Sequence, residues 1–273
     1  MRPDPASLWL DYLYQSWPIQ VRRKIGCHDY LKLRRAQACL WRALNLYDDF
    51  LDGGGKAIDL PKANEYWRRF LAVHYRLKLP ASHISRLENL CRRLALANRK
   101  ETAREKLNIK NNKILLPEKW PSLPEPAKLS EKSLLLAAGP LALVSLAGMT
   151  KDVAGFLNFF SYSLSAKQLS DDACDWLDDL KAGKISLANQ PVLKYLRSKG
   201  WGLDIKKEAH VLQLIFASEA AGGISKQILD LCAKARHQAR ALGWNQNHPL
   251  IKKTIYPLET AAKRALAFRR LIV

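Results

Sequence analysis

Paired cysteines, acidic side chains and uninterrupted apolar runs are all scarce in this 273-residue chain. Its five cysteines, Cys27, Cys39, Cys91, Cys174 and Cys232, are scattered and form no CxxC pair. No disulfide framework and no zinc-ligand spacing follow, so reduced, mostly buried thiols of a cytoplasmic protein are expected. The opening MRPDPASLWL lacks the basic-then-apolar order of a secretory leader. The longest uncharged apolar run, Ser133 to Thr150, contains Gly139, Pro140 and Gly148. A buried helix is expected there rather than a membrane span. Strand-like alternation is rare, no Asn-Gly or Asp-Gly joins two strand-like runs, and repeats and low-complexity tracts are missing. Acids number 25 against 45 Lys and Arg, a net charge of +20. Such a field favours polyanions: nucleic acid, anionic lipid or a phosphorylated small substrate.

What is present reads as helix. From Asp29 to Leu51 apolar residues recur at spacings of two to four, and Gly53-Gly54-Gly55 stops the run. Pro61 starts a second helix to about Leu77, and Ser82 is placed to cap a third to about Lys106. Asn108 to Lys128, with Pro117, Pro121, Pro124 and Pro126, reads as a loop. Ser130 is placed to cap an apolar helix to about Gly148, and another runs from Asp152 to about Leu180. Further helices fit Lys206 to Leu242, with a break at Gly222-Gly223, and Pro249 to Arg270. The expectation is an all-α fold of eight or more helices in one domain, residues 1–273.

The aspartates are unevenly placed. Eight of the 15 fall in two segments, Asp48-Asp49-Phe50-Leu51-Asp52 and Asp171-Asp172-Ala173-Cys174-Asp175-Trp176-Leu177-Asp178-Asp179. Residues four apart share a helix face, so Asp48 and Asp52 stack on one side, and Asp171, Asp175 and Asp179 form a ladder. Like charges at that spacing destabilise a helix by about 0.2–0.5 kcal/mol per pair. A solvated acidic face would more readily mix Glu and Lys with the Asp than set Tyr47, Phe50 and Trp176 among them. The alternative is hard-cation binding: Mg²⁺ takes oxygen ligands and is usually held by one or two carboxylates plus substrate phosphates. Metal charge would also reconcile an acidic site with a basic protein.

At these residues the sequence resembles the class I isoprenoid synthase superfamily. Asp48-Asp49-Phe50-Leu51-Asp52 is similar to the DDxxD motif of trans-prenyltransferases and to the looser DxxxD of squalene and phytoene synthases. Gln168-x-x-Asp171-Asp172-x-x-Asp175 resembles the second prenyltransferase motif. The register onward through Asp179, Gly183 and Lys184 resembles the head-to-head branch, with Asp171 where that branch has Asn, Lys184 where it has Arg and Ser186 where it has Tyr. Glu131-Lys132-Ser133 resembles the Lys-Thr that touches diphosphate in chain-elongating enzymes. Gly53-Gly54-Gly55-Lys56 stands where those enzymes carry Arg-Arg.

The resemblance implies a helical bundle around a central apolar cavity. It implies a Mg²⁺-dependent prenyltransferase that ionises an allylic isoprenyl diphosphate and couples it to a second isoprenoid. Asp48, Asp52, Asp171 and Asp175 would be catalytic. Asp48, Asp49, Asp52, Asp171, Asp172, Asp175 and Asp179 would hold Mg²⁺, three ions together with the diphosphate. Gln168, Lys184, Lys132, Arg42, Lys56 and Tyr47 would contact substrate. By helical spacing Asp49, Asp172 and Asp178 lie off the main faces. Leu134 to Leu146, Phe156, Phe159, Phe160, Tyr162 and Trp41 would line the dry cavity or simply form core. A homodimer with peripheral contact to an anionic membrane, in the cytoplasm at the inner membrane surface, completes this expectation. A class I terpene cyclase is the alternative within the superfamily, although cyclases carry Ser or Thr and Glu in the second motif. A basic helical nucleic-acid-binding protein is the alternative outside it, suggested by Arg22-Arg23-Lys24, Arg34-Arg35, Arg68-Arg69, Arg92-Arg93 and Arg269-Arg270 and eight Trp.

Overall fold

The computed structural model describes residues 5–51, 53–104, 106–110, 113–201, 204–205 and 207–272. Helix accounts for 78% of the chain and strand for 3%, so the fold is all-α in character. The described residues form eleven α-helices and one two-stranded hairpin. They are α1 (Pro5–Ser16), α2 (Ile19–Ile25), α3 (Cys27–Leu51), α4 (Leu60–Arg76) and α5 (Ala81–Thr102), then β1 (Asn108–Lys110) and β2 (Lys113–Leu115). After them come α6 (Ala138–Leu146), α7 (Val153–Lys181), α8 (Gln190–Lys199), α9 (Ala209–Ile215), α10 (Ala221–Ala241) and α11 (Tyr256–Ile272). Contacts divide the chain into two compact units, where the sequence suggested one domain. The first comprises Met1–Thr102, Glu131–Phe160 and Gln238–Lys252; the second comprises Ala103–Ser130, Ser161–His237 and Lys253–Val273.

In the first unit α3 packs along α4, and α1, α2 and α6 also lie against α3. The apolar run behaves as expected: Leu134, Leu135, Ala137, Ala138 and Leu141 to Val144 are buried. It begins as a 3-10 turn, Leu134–Ala137, before α6. Phe156 and Phe159 meet Trp244 edge-on, at ring-centroid distances of 5.3 and 5.0 Å, and Phe160 stacks on Trp9 at 5.0 Å. These three Phe are fully buried core, each stabilising by about 1.5–3 kcal/mol. Gly139 is there because a Cβ would come within 2.5 Å of Gln37 Oε1. No single helix among the described residues is long and apolar enough to cross a membrane.

In the second unit the inward stripe of α7 is Leu169, Trp176 and Leu180, and Trp176 stacks on Phe216 at 4.5 Å. The interruption expected at Gly222-Gly223 occurs instead at Phe216–Ala220, a π-helical turn. There Arg269 Nη2 donates to the Ser218 carbonyl at 2.9 Å, a side chain inserted where the helical ladder widens. Gly222 lies within α10 because a Cβ would meet Arg269 Nη1 at 2.4 Å. A second π turn, Ile251–Ile255, precedes Pro257, whose missing N–H and ring bulk disfavour the regular i→i−4 pattern.

Three local expectations are corrected. Part of the segment read as a loop is the hairpin β1–β2, Asn108–Lys110 paired with Lys113–Leu115. Ser130 does not cap an α-helix. It is buried in a 3-10 segment, Pro126–Lys132, where its N–H donates to Ser165 Oγ and its hydroxyl pairs with that of Ser161. α5 begins at Ala81, with His83 and Ile84 N–H donating to the Pro80 carbonyl, so Ser82 already lies inside it. The five cysteines are free, but they are not mostly buried as expected: Cys232 is buried, Cys39 and Cys91 are half-buried, and Cys27 and Cys174 are exposed.

Candidate functional site

The first acidic segment ends α3, in the first unit. Tyr47, Asp48 and Asp49 lie in its last turns, while Asp52 falls outside the described residues. Asp49 O accepts from both Gly54 N–H, at 3.0 Å, and Gly55 N–H, at 2.7 Å, so the triple glycine folds back and satisfies the helix end. Gly53 has φ 81°, and a Cβ on Gly55 would stand 2.6 Å from the Phe50 nitrogen. Asp48 and Asp49 are exposed, and so are Phe50 and Leu51.

Lys132 is the cation brought to this segment. Its Nζ lies 3.8 Å from Asp48 Oδ1 and 2.6 Å from Glu101 Oε2 on α5. Neighbouring Glu131 accepts two 2.7 Å hydrogen bonds from Arg93, which pins this stretch to α5. Two of the other expected substrate contacts here, Tyr47 and Arg42, have side-chain partners of their own. The Tyr47 hydroxyl donates to Asn64 Oδ1, and burial raises its pKa. The Arg42 guanidinium rests 5.6 Å from the Tyr66 ring centroid. Lys56 is exposed, and its carbonyl accepts from Asp59 N–H at 2.9 Å.

The second acidic segment is the C-terminal third of α7, in the second unit. Burying Trp176 turns Asp175 outward, and Asp171 and Asp179 are half-buried at its sides. Gln168 Nε2 donates to Asp172 Oδ1 at 2.8 Å, one helical turn on. Lys167 pairs with Asp171, and Lys181 pairs with Asp178 at 2.9 Å. Gly183, at φ 74°, ends α7; its carbonyl accepts from Leu107 N–H at 2.7 Å, and a Cβ would stand 3.0 Å from the Leu107 oxygen. Buried Asn189 braces the next turn, its Nδ2 donating to Lys184 O and its Oδ1 accepting from Ser186 N–H, both at 2.9 Å. Lys184 thus sits on a fixed backbone just past the ladder.

The structure therefore unites Asp48 with Lys132, and Gln168 with Asp172, within their own units. Lys167, Glu101, Asn64 and Asn189 were missed in the sequence. Lys167 alone carried a signal, standing four residues before Asp171. Among the described residues no three His, Cys, Asp or Glu side chains converge as a ready-made metal cage. The donor set nonetheless fits a hard cation: carboxylate oxygens predominate in the two segments, with the exposed Cys174 thiol the one soft donor among the described residues, and Mg²⁺ completed by phosphate and water needs one or two carboxylates per ion. No family model matches the chain, and no curated protein matches it significantly.

Proposed function

We propose that this chain is a Mg²⁺-dependent prenyltransferase of the class I isoprenoid synthase type, ionising an allylic isoprenyl diphosphate and coupling it to a second isoprenoid. The observation that carries the reading is the ending of two long helices, α3 and α7, in glutamate-free aspartate clusters within a strongly basic chain. In this reading Asp48, Asp49, Asp52, Asp171, Asp172, Asp175 and Asp179 are the Mg²⁺ ligands. Bound Mg²⁺ would stabilise the charge of the departing diphosphate. Lys132 and Lys184 contribute positive charge to the phosphate oxygens. Gln168 orients Asp172 through its amide. An apolar cavity shields the allylic cation from water. The run from Gln168 to Gly183-Lys184 favours head-to-head joining over elongation, and the all-Asp ladder favours joining over cyclisation.

The experiment is Mg²⁺-dependent release of inorganic diphosphate from farnesyl and geranylgeranyl diphosphates, with product mass spectrometry. Asp48→Asn and Asp175→Asn should each reduce release by at least about a hundredfold while far-UV circular dichroism is unchanged. Undiminished release in either variant refutes the assignment. A cyclic hydrocarbon formed from one substrate molecule would replace coupling with cyclisation.

A further inference from the structure

In the second unit, basic and aromatic side chains gather around the hairpin and the end of α8. β1 and β2 pair antiparallel with Lys110 directly opposite Lys113 and Asn108 opposite Leu115. Ile114 is buried while Lys113 and Leu115 project outward, Leu115 at 47% exposure. Two lysines opposed across strands repel each other, and a two-stranded hairpin has little stability of its own to absorb that. The following chain is fastened to α8: Arg197 Nη1 donates to the carbonyls of Pro117 and Glu118, both at 3.1 Å, and its guanidinium lies over Trp120. Lys199 lies over the Tyr195 ring, Tyr195 meets Trp201 edge-on at 6.0 Å, and Trp201 is 45% exposed. The main chain also joins the hairpin to this end, through a bridge between Lys113 and Asp204. Lys119 and Lys194 are exposed as well, and Glu118 and half-buried Asp204 are acids among them.

We infer that this face docks the protein on an anionic membrane surface. The lysines match anionic headgroups, whose attraction relieves the Lys110–Lys113 repulsion, while Leu115 and Trp201 enter the interfacial layer. Nucleic acid fits less well. Trp120 and Tyr195 each already carry a cation of this chain over a ring face, which bases would need for stacking, and Leu115 offers no stacking surface. This inference is independent of the proposed chemistry.

The test is sedimentation with vesicles of phosphatidylcholine alone and with about one third phosphatidylglycerol, using the full chain, Lys110→Gln/Lys113→Gln, and Trp201→Ala as a second variant. The wild type should bind the anionic vesicles, lose them at high salt and ignore the neutral ones. Each lysine near such a surface is worth about a fivefold factor in partitioning, so the double variant should bind roughly thirtyfold more weakly. Trp201→Ala should weaken binding without changing its salt dependence. Equal binding to neutral vesicles overturns the inference, as does undiminished binding by the double variant. So does binding to single-stranded RNA that anionic vesicles do not compete away.

Discussion

Two histidines buried in the first unit make its stability depend on pH. His74 of α4 and His83 of α5 stack in parallel, with His74 Nδ1 3.2 Å from His83 Nε2. His83 Nδ1 lies 3.4 Å from Ser145 Oγ on α6, and that hydroxyl donates to the Leu141 carbonyl at 3.0 Å. The chain of donors assigns the tautomers: Ser145 Oγ accepts from His83 Nδ1–H, His83 Nε2 accepts from His74 Nδ1–H, and His74 Nε2 is left unprotonated, buried and without a partner. Burial, with His83 beside it, pushes His74 down to about 3; burial, with Arg86 nearby, pushes His83 down to about 4. Both bind protons near pH 6.5 once unfolded, so their contribution is intact above that pH and is lost as pH falls toward the folded values. At pH 5 each loses about 2 kcal/mol, and the pair loses about 4 kcal/mol, a large part of an ordinary domain's stability. The figure at pH 5 hardly depends on the folded values, since both lie well below it. The assay is urea unfolding by circular dichroism at pH 7, 6 and 5 for wild type and His83→Gln. Glutamine can accept from His74 and donate to Ser145, so the variant should fold at pH 7 and lose about 2 kcal/mol less than wild type between pH 7 and 5. His248, pushed down to about 4 by burial, titrates alike in both proteins and cancels from the difference. Equal losses in the two proteins would refute the reasoning.

Two further outcomes follow from local geometry. Gly55→Ala forces a Cβ against the Phe50 backbone and should destabilise by about 1–3 kcal/mol, measured by urea unfolding, while loosening the turn after Asp48 and Asp49. Arg93→Ala removes a two-pronged, half-buried pair with Glu131 and should cost about 1.5–3 kcal/mol in the same measurement, with Arg93→Lys recovering only part.

Helices whose apolar period and stop signals agree were legible in the sequence. α3 is the plainest case, since Gly53-Gly54-Gly55 ends it where the stripe of Leu33, Ala36, Leu40 and Ala43 runs out. The buried run around α6 was equally plain, because no charge interrupts it. What failed depended on distant partners. Ser130 carries a capping signature, yet hydroxyls on α7, more than thirty residues on, claim it. Gly222-Gly223 reads as a break, yet Arg269 fills the space beside Gly222 and the irregularity moves to Phe216–Ala220. At the candidate site, the composition and register of the aspartates were legible. Their cation partners were legible only at helical spacing, so Lys167 was within reach, whereas the contact of Lys132 with Asp48 depends on tertiary packing.

The aspartate ladder allows a last discrimination that needs no substrate. Asp175 stands between Asp171 and Asp179 at one-turn spacing on the same helix, and Lys167 pairs with Asp171. That pair has Lys N-terminal to Asp, the weaker orientation for a helix. Neutralising Asp175 therefore removes two repulsive pairs, and Asp175→Asn should be more stable than wild type by about 0.4–1 kcal/mol, raising Tm by about 1–3 °C. A solvated acidic face and a metal site agree on that gain. They differ once Mg²⁺ and inorganic diphosphate are added together. Ligand binding to the folded state raises wild-type Tm by mass action, and the variant, lacking a ligand carboxylate, should lose most of that rise. If the variant is stabilised and still responds as strongly as wild type, the ladder is a solvated face and the helix has accepted its repulsion for some other reason. A variant that melts lower than wild type without ligands refutes the account of local repulsion itself.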